Sequence, residues 1–375
     1  MDRVAIAEQI RHLARKSLPA GLKPWARQVG RRLGAYERDW GADSLRLAMH
    51  DLVRHGDTCF DVGANTGDYS IFMSKLTGPT GRVHAFDPNP LTLPTLHEAL
   101  AKHKVSNCQV VEAAVLQCGP QSVEFFLDHS PGHGAATIIP DQAVHVGLNQ
   151  KVVVKAICLD EYCRAARLRP AFVKVDVETA ELDVLKGFAH TIDACMPHFI
   201  LEYGSIYTEQ TSLMFLRDRG YRLTDLSNYS PVDAAEFASR RLFTNVLAIH
   251  ASKIGGTGYG AIQLDVVLSK TGADLGFRDG QGELLRSGEF GLKPGRYIAA
   301  CDFTAEAGQF ISFSTSVGDS ICGVAGKFGE QDWSHSFVFE VNRPSNLRFS
   351  LSTPTKGRVL CRGITLKRAE MRVLA

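Results

Sequence analysis

The stretch Asp61-Val62-Gly63-Ala64-Asn65-Thr66-Gly67-Asp68-Tyr69-Ser70 decides the fold. It follows a short apolar run at 58–62 and precedes a helical pattern at 69–77, so it is the turn between a strand and a helix. Gly63 and Gly67 let the backbone approach a ligand closely at the carboxyl end of a strand, the place where doubly wound α/β folds bind nucleotides. Asp61 and Asp68 bracket the turn and favour a ligand with cationic or hydroxyl-donor groups over a bare phosphate. The spacing is D-x-G-x-N-x-G, which departs from the G-x-G-x-x-G of dinucleotide sites.

Working outward, strand-like runs at 58–62, 82–86, 109–113, 172–177, 199–203, 222–226 and 245–249 alternate with helical patterns at 69–77, 91–104, 179–188 and 209–220. That alternation predicts a doubly wound, Rossmann-like α/β domain over residues 51–250. Two further apolar runs, 122–127 and 152–157, flank a loop rich in Gly, His and Pro and read as a hairpin-like insertion that could wall a pocket. The texture changes after His250. Residues 251–260 read as a linker, and 261–375, with frequent Gly and no long helical period, read as an antiparallel β-sandwich of jelly-roll type. The change of texture predicts that this second domain folds alone.

Residues 1–50 form a basic segment: positions 1–38 hold nine Lys/Arg against three acids. Apolar Val4, Ile6, Ile10, Leu13 and Leu18 recur between them at loosely helical spacing. Two readings stand, a helix packed on the following domain with a solvated charged face, and a peripheral contact with an anionic membrane surface. Over the whole chain of 375 residues, 42 Lys/Arg against 40 Asp/Glu leave a net charge of +2, which calls for no nucleic-acid partner. No stretch free of charged side chains exceeds twelve residues, far short of the roughly 20 needed to span a bilayer. Nine Cys without a CxxC pair, and an N-terminus without the apolar core of a signal peptide, predict a reducing cytoplasmic setting, with the inner membrane face as the site of any peripheral contact.

The second strand ends at Asp87-Pro88-Asn89-Pro90, about twenty residues past the glycine turn. A carboxylate there can accept hydrogen bonds from both ribose hydroxyls of an adenosine, the reading that the glycine turn favours, while an Asp before Pro is also a helix-capping signal. Together with the glycine turn and the run Val173-Lys174-Val175-Asp176-Val177-Glu178-Thr179-Ala180-Glu181-Leu182-Asp183-Val184-Leu185-Lys186-Gly187, these residues resemble the FkbM family of S-adenosylmethionine-dependent O-methyltransferases, in order and spacing, over about 55–250. The resemblance implies a class I methyltransferase fold with S-adenosylmethionine as cofactor. It places Asp61, Gly63, Asn65 and Gly67 at the methionine end, Asp87 on the ribose and Glu112 near the adenine edge, although Glu112 reads equally as a solvated strand-end acid. Two positions depart from the family pattern, Asp87 where Glu is usual and Thr179 where Gly is usual. Thr at that junction disfavours a positive φ and narrows the space beside the acceptor.

Methyl transfer to a hydroxyl requires an aligned acceptor oxygen and a base for its proton. Asp176 at the end of the fourth core strand and Glu202 at the tip of the next form a carboxylate pair that suits a general base, with Lys174 to offset their charge, and the same three residues also read as a buried structural ion network. His133, on the insertion loop, is the rival base. Asp176, Glu178 and Glu202 lack a diagnostic ligand spacing, and no metal is expected. The sequence thus predicts an O-methyltransferase acting on a hydroxyl of a glycan, glycolipid or other small acceptor, with the C-terminal domain positioning that acceptor. Trp333, Tyr259 and Tyr297 are sugar-stacking candidates, although aromatic side chains in such a domain commonly belong to the core. The rivals are a non-catalytic glycan-binding scaffold, against which the intact cofactor residues argue, and an NAD-dependent sugar oxidoreductase, whose glycine turn is missing. The oligomeric state is not legible.

Overall fold

The computed structural model describes residues 44–119, 121–130, 135–204, 211–232, 243–271, 282–286, 290–305, 309–317, 320–328, 331–341, 345–353 and 359–372. Most of the basic segment, and His133, lie outside these residues.

The chain enters through α1 (Ser44–Leu52) and then alternates β1 (Thr58–Val62), α2 (Asp68–Thr77), β2 (Arg82–Phe86), α3 (Leu93–Lys102) and β3 (Cys108–Val111). After the insertion come α5 (Leu159–Ala166), β7 (Phe172–Val175), α6 (Glu181–Lys186), α7 (Ala189–Cys195), β8 (His198–Gly204), α8 (Thr211–Arg217), β9 (Tyr221–Asp225) and β10 (Phe243–His250). The seven core strands order as β3-β2-β1-β7-β8-β10-β9. Pairings are parallel except along β10, which runs antiparallel to both β8 and β9. The chain winds outward from β1 to β3 and then returns to lay β7 on the other side of β1, so the switch in strand order lies between β1 and β7. In such sheets the crevice for a ligand opens at the carboxyl ends beside that switch.

Alternation along the strands sorts side chains between two cores. Phe60, Val62, Val173, Val175, Phe199 and Leu201 face a cluster completed by Val184, Leu185 and Phe188 from the α6–α7 region and by Leu213 and Leu216 of α8. Cys59, Phe172 and Ile200 face the opposite cluster with Leu47, Ala48 and Met49 of α1 and Met73 of α2. Asp61, Lys174 and Glu202 stand at alternate positions to the first set and so share the second face, at its polar end.

The insertion forms a separate three-stranded sheet: β5 (Ser122–Phe126) pairs antiparallel with β6 (Lys151–Ile157), which pairs with β4 (Ala114–Val115). Helix α4 (Pro140–Val146) fills the segment between β5 and β6. Cys118 and Cys158 form a disulfide with their Cα atoms 4.8 Å apart, a link that the cysteine spacing did not suggest.

Residues 251–260, read from composition as a linker, hold helix α9 (Ala251–Ile254) and a 3-10 turn (Gly258–Gly260), and they bury Ile254 and Tyr259. Beyond them are two antiparallel sheets. One has the order β11 (Ala261–Thr271), β19 (Val359–Arg372), β14 (Gly295–Ala305), β17 (Gln331–Val341). The other has β12 (Gly282–Arg286), β18 (Ser345–Thr353), β15 (Gln309–Val317), β16 (Ser320–Phe328), with β13 (Phe290–Leu292) also on β18. The first sheet is fused to the α/β domain: Ile298, Val338 and Ala369 share one apolar cluster with α1 and with Leu247 and Ile249 of β10. Arg296 forks onto Asp51 of α1 at 2.7 and 3.2 Å, and the Tyr259 hydroxyl donates to the same carboxylate at 2.8 Å. Tyr259 and Tyr297 are therefore core side chains; the Tyr297 ring stacks on Phe339 and its hydroxyl donates to the Lys293 carbonyl. The side chain of Trp333 is outside the described set.

Candidate active site

A cavity of about 180 Å³ opens at the carboxyl ends of β1, β2, β7 and β8. Val62, Gly63 and Asn65 line it from the β1–α2 turn, Asp87, Asn89 and Thr92 from the β2–α3 turn, and Asp176, Val177, Glu178 and Glu202 from β7 and β8. Phe125, Ala136 and Ile138 close it from the insertion. The hairpin-like segment thus walls the pocket, as its place in the sequence suggested.

Asp87 organises one end. Its carboxylate accepts from the Asn65 N–H at 2.7 Å, the Asn89 N–H at 2.9 Å and the Thr92 hydroxyl at 2.9 Å. Both turns are thereby tied to one buried group. Asp87 does not cap the following helix, whose N-cap is Thr92: Oδ1 takes contacts within the β2–α3 turn, while Oδ2 accepts one N–H and keeps lone-pair capacity toward the cavity. Burial raises its pKa, and these three hydrogen bonds oppose that rise.

The glycines act partly on the fold. Gly63 sits at φ 80°, and a Cβ there would fall 1.7 Å from the Asp176 carbonyl oxygen, so its missing side chain lets the β1 turn touch the backbone after β7. Gly67, at φ 86°, caps α2 and would carry a Cβ into Leu96. Neither Gly67 nor Asp61 lines the cavity. Asp61 is fully buried behind it, accepting from the Ser70 hydroxyl with Lys174 Nζ 3.6 Å away. Its predicted place at the methionine end becomes a supporting one. Of its two readings Glu112 takes the solvated one: it pairs with His97 at 3.1 Å on an exposed surface, while Ala113, Ala114 and Val115 face the cavity.

At the opposite end the structure brings Lys174, Asp176 and Glu202 together. Parallel register sets Lys174 beside Asp61, and its ammonium lies 3.0 Å from Asp176 Oδ2 and 3.3 Å from the Gly63 carbonyl. Burial alone would lower the Lys174 pKa, but Asp176 and Asp61 outweigh it and hold the cation. Burial would likewise raise Asp176, yet Lys174 and a hydrogen bond with Glu202 keep it below the usual carboxylate range. Burial and the Asp176 charge push Glu202 up to about 9, so the hydrogen-bonded pair shares a proton at neutral pH. Oxygens of Asp176, Glu178 and Glu202 lie within 4.8 Å of one another, a grouping with room for a cation, and the Lys174 ammonium already supplies a positive charge there.

Sequence reasoning missed the backbone at Glu178 and Thr179. Both adopt positive φ, 52° and 79°. The expectation that Thr179 would refuse this conformation is overturned: the chain keeps the glycine-like bend and carries the strain, with the Thr179 hydroxyl buried and without a hydrogen-bond partner. What holds the bend is Thr137 of the insertion, whose hydroxyl donates to the Glu178 carbonyl at 2.9 Å.

The sheet order, the cavity at the switch point and the acid-anchored turns define a class, a doubly wound domain built to hold a nucleoside-bearing cofactor. The family profile described as the Methyltransferase FkbM domain matches residues 61–223 of the chain. The hexuronic acid methyltransferase AglP of Haloferax volcanii is 30% identical over 156 residues, covering 40% of this chain and 58% of that protein. The 31-O-demethyl-FK506 methyltransferase FkbM of Streptomyces tacrolimicus is 36% identical over 77 residues, 20% of this chain and 29% of that protein. The chain therefore spans less than two thirds of the length of either relative. A crystal structure of methyltransferase FkbM from Methylobacillus flagellatus superposes with a TM-score of 0.35 at 16% identity, covering 66% of this chain and 59% of that one. The residues present fit S-adenosylmethionine: Asp87 offers a fixed acceptor for hydroxyl donors, and Asn65 and Gly63 line the approach from the β1 turn.

Proposed function

We propose that the protein is an S-adenosylmethionine-dependent O-methyltransferase that caps a hydroxyl on a sugar of a glycan or glycolipid. One observation carries the reading: the acid that suits a ribose, Asp87, and the carboxyl cluster that suits proton removal, Asp176 with Glu178 and Glu202, line a single cavity. When bound there, the cofactor supplies a methyl group on a sulfonium, an electrophile that needs only an aligned nucleophile. Asp87 and Asn65 would hold its adenosine side, and the carboxyl cluster would orient the acceptor and take its proton. The sugar part draws support from the relative named as a hexuronic acid methyltransferase. In this reading the C-terminal sheets form a jelly-roll-like sandwich that positions a large acceptor, and the basic N-terminal segment brings the protein to an anionic membrane face from the cytoplasmic side.

The deciding experiment incubates the full chain and labelled S-adenosylmethionine with extracted cell-envelope glycans and identifies the labelled product. Label on a sugar hydroxyl is the expected result. Cofactor binding without transfer to any fraction would leave the non-catalytic scaffold as the better reading.

A further inference from the structure

We propose that Glu178 receives the proton of the acceptor hydroxyl during methyl transfer. This rests on the O-methyltransferase reading and adds the residue that serves it. Of the three carboxyl groups at this end of the cavity, two are already engaged: Asp176 lies against Lys174 at 3.0 Å, and Glu202 and Asp176 hydrogen-bond to each other. The Glu178 carboxylate lines the same cavity and has no hydrogen-bond or ion-pair partner among the described residues. Its position is fixed from outside the side chain. The consecutive left-handed residues Glu178 and Thr179 turn the chain at the cavity wall, and Thr137 of the insertion clamps the Glu178 carbonyl. Backbone strain of this kind persists only where surrounding structure imposes it, and it gathers at sites of chemistry.

The groups around Glu178 favour uptake of a proton. Burial comes first, followed by the charges of Asp176 after β7, Glu181 of α6 and Asp128 of the insertion, while Lys174 opposes them; the carboxyl is pushed up to about 7. A base with that pKa is half available at neutral pH and strong enough to accept a proton as the new bond forms. In the step itself, the acceptor oxygen forms its bond to the methyl carbon as the carbon–sulfur bond breaks. The electron pair goes to sulfur, which becomes a neutral thioether. The hydroxyl proton passes to the Glu178 carboxylate and then to water, with no other reactant required.

Two measurements test this. In the first, the full chain without cofactor is labelled with carbon-13 at the glutamate carboxyls and titrated by NMR, with E178Q identifying the resonance. A midpoint near 7 that moves down in D176N is expected, and a midpoint in the ordinary carboxylate range overturns the proposal. In the second, transfer from labelled S-adenosylmethionine to the envelope-glycan fraction is followed against pH in EDTA. E178Q should lose about 100-fold or more in kcat, the usual scale for a positioned base, with cofactor Kd within about twofold, and E178D should recover part of the loss. The rise of native kcat through neutral pH should vanish in E178Q. A near-native kcat in E178Q, or transfer that EDTA abolishes and Mg²⁺ restores, assigns the carboxyls another task and overturns the inference. Failure of the native protein to transfer at all removes the function proposed above, and this inference with it.

Discussion

Asp87 and Thr179 show how single side chains set this site. Asp87 holds two turns and faces the cavity, so Asp87→Ala should weaken S-adenosylmethionine binding by about 1.5–3 kcal/mol in calorimetry, through loss of charge-assisted hydrogen bonds. Unchanged affinity in a folded variant would remove Asp87 from the cofactor site. Thr179 keeps a φ of 79° that glycine adopts freely, and it buries a hydroxyl without a partner. Thr179→Gly should therefore raise stability by about 1 kcal/mol in urea unfolding, the relief of strain outweighing the added freedom of the unfolded chain. Lower stability would mean that the Thr179 methyl packs better than its backbone fits.

The carboxyl cluster also makes stability depend on pH. Glu202 has an ordinary value of 4.5 and a folded value of about 9, so the folded state holds its proton more tightly than the unfolded state does. The stability this contributes is complete below about 4.5 and is lost as pH rises toward 9. Glu202→Gln keeps a hydrogen-bond donor for Asp176 but cannot ionise. Its urea midpoint relative to the native protein should therefore improve between pH 5.5 and 8.5. An unchanged difference at the two pH values would place the Glu202 proton elsewhere.

Among the elements, the β1–α2 turn has the least tolerance. A methyl group at position 63 would meet the Asp176 carbonyl at 1.7 Å from a φ of 80°, so β1 and β7 would have to part at their carboxyl ends. Gly63→Ala should cost about 2–4 kcal/mol of stability and abolish cofactor binding even in the folded fraction. Retention of native affinity by the folded variant would show that the two strand ends are not coupled. The insertion works in the opposite sense, as an addition that closes the cavity with Phe125, Ala136 and Ile138 and holds the bend after β7 through Thr137.

At the scale of the whole molecule, the α/β domain and the first C-terminal sheet share one apolar cluster across residue 250. Removal of everything after His250 would bare the α1 face that packs on Ile298, Val338 and Ala369 and would leave Asp51 without Arg296. The truncated chain should aggregate or melt well below the native protein, contrary to the independence that the change of composition suggested. Arg296→Leu, which strands Asp51 in a partly buried site, should cost about 2–4 kcal/mol and lower a single calorimetric transition. Two separate transitions would restore the picture of independent domains.

The sequence by itself determined the seven core strands, because short apolar runs set between helical patterns and turns read as strands whatever surrounds them: the runs at 58–62 and 82–86 match β1 and β2 residue for residue. It also placed Gly63, Asn65, Asp87, Asp176 and Glu202 near one another, since strand ends in a doubly wound sheet converge by topology alone. Several contacts were not legible. Glu112 turned outward because a strand-end side chain chooses its neighbour by packing, and here His97 stood within reach. The positive φ of Glu178 goes with a hydrogen bond to its carbonyl from Thr137, forty-one residues earlier in the chain, which no local pattern reports. The junction at 251–260 looked like a linker because Gly-rich composition reports local backbone freedom, whereas burial of Tyr259 against Asp51 depends on α1, 208 residues away. Local pattern fixes which elements form; only their packing decides which side chains share a proton, a strained bend or a common core.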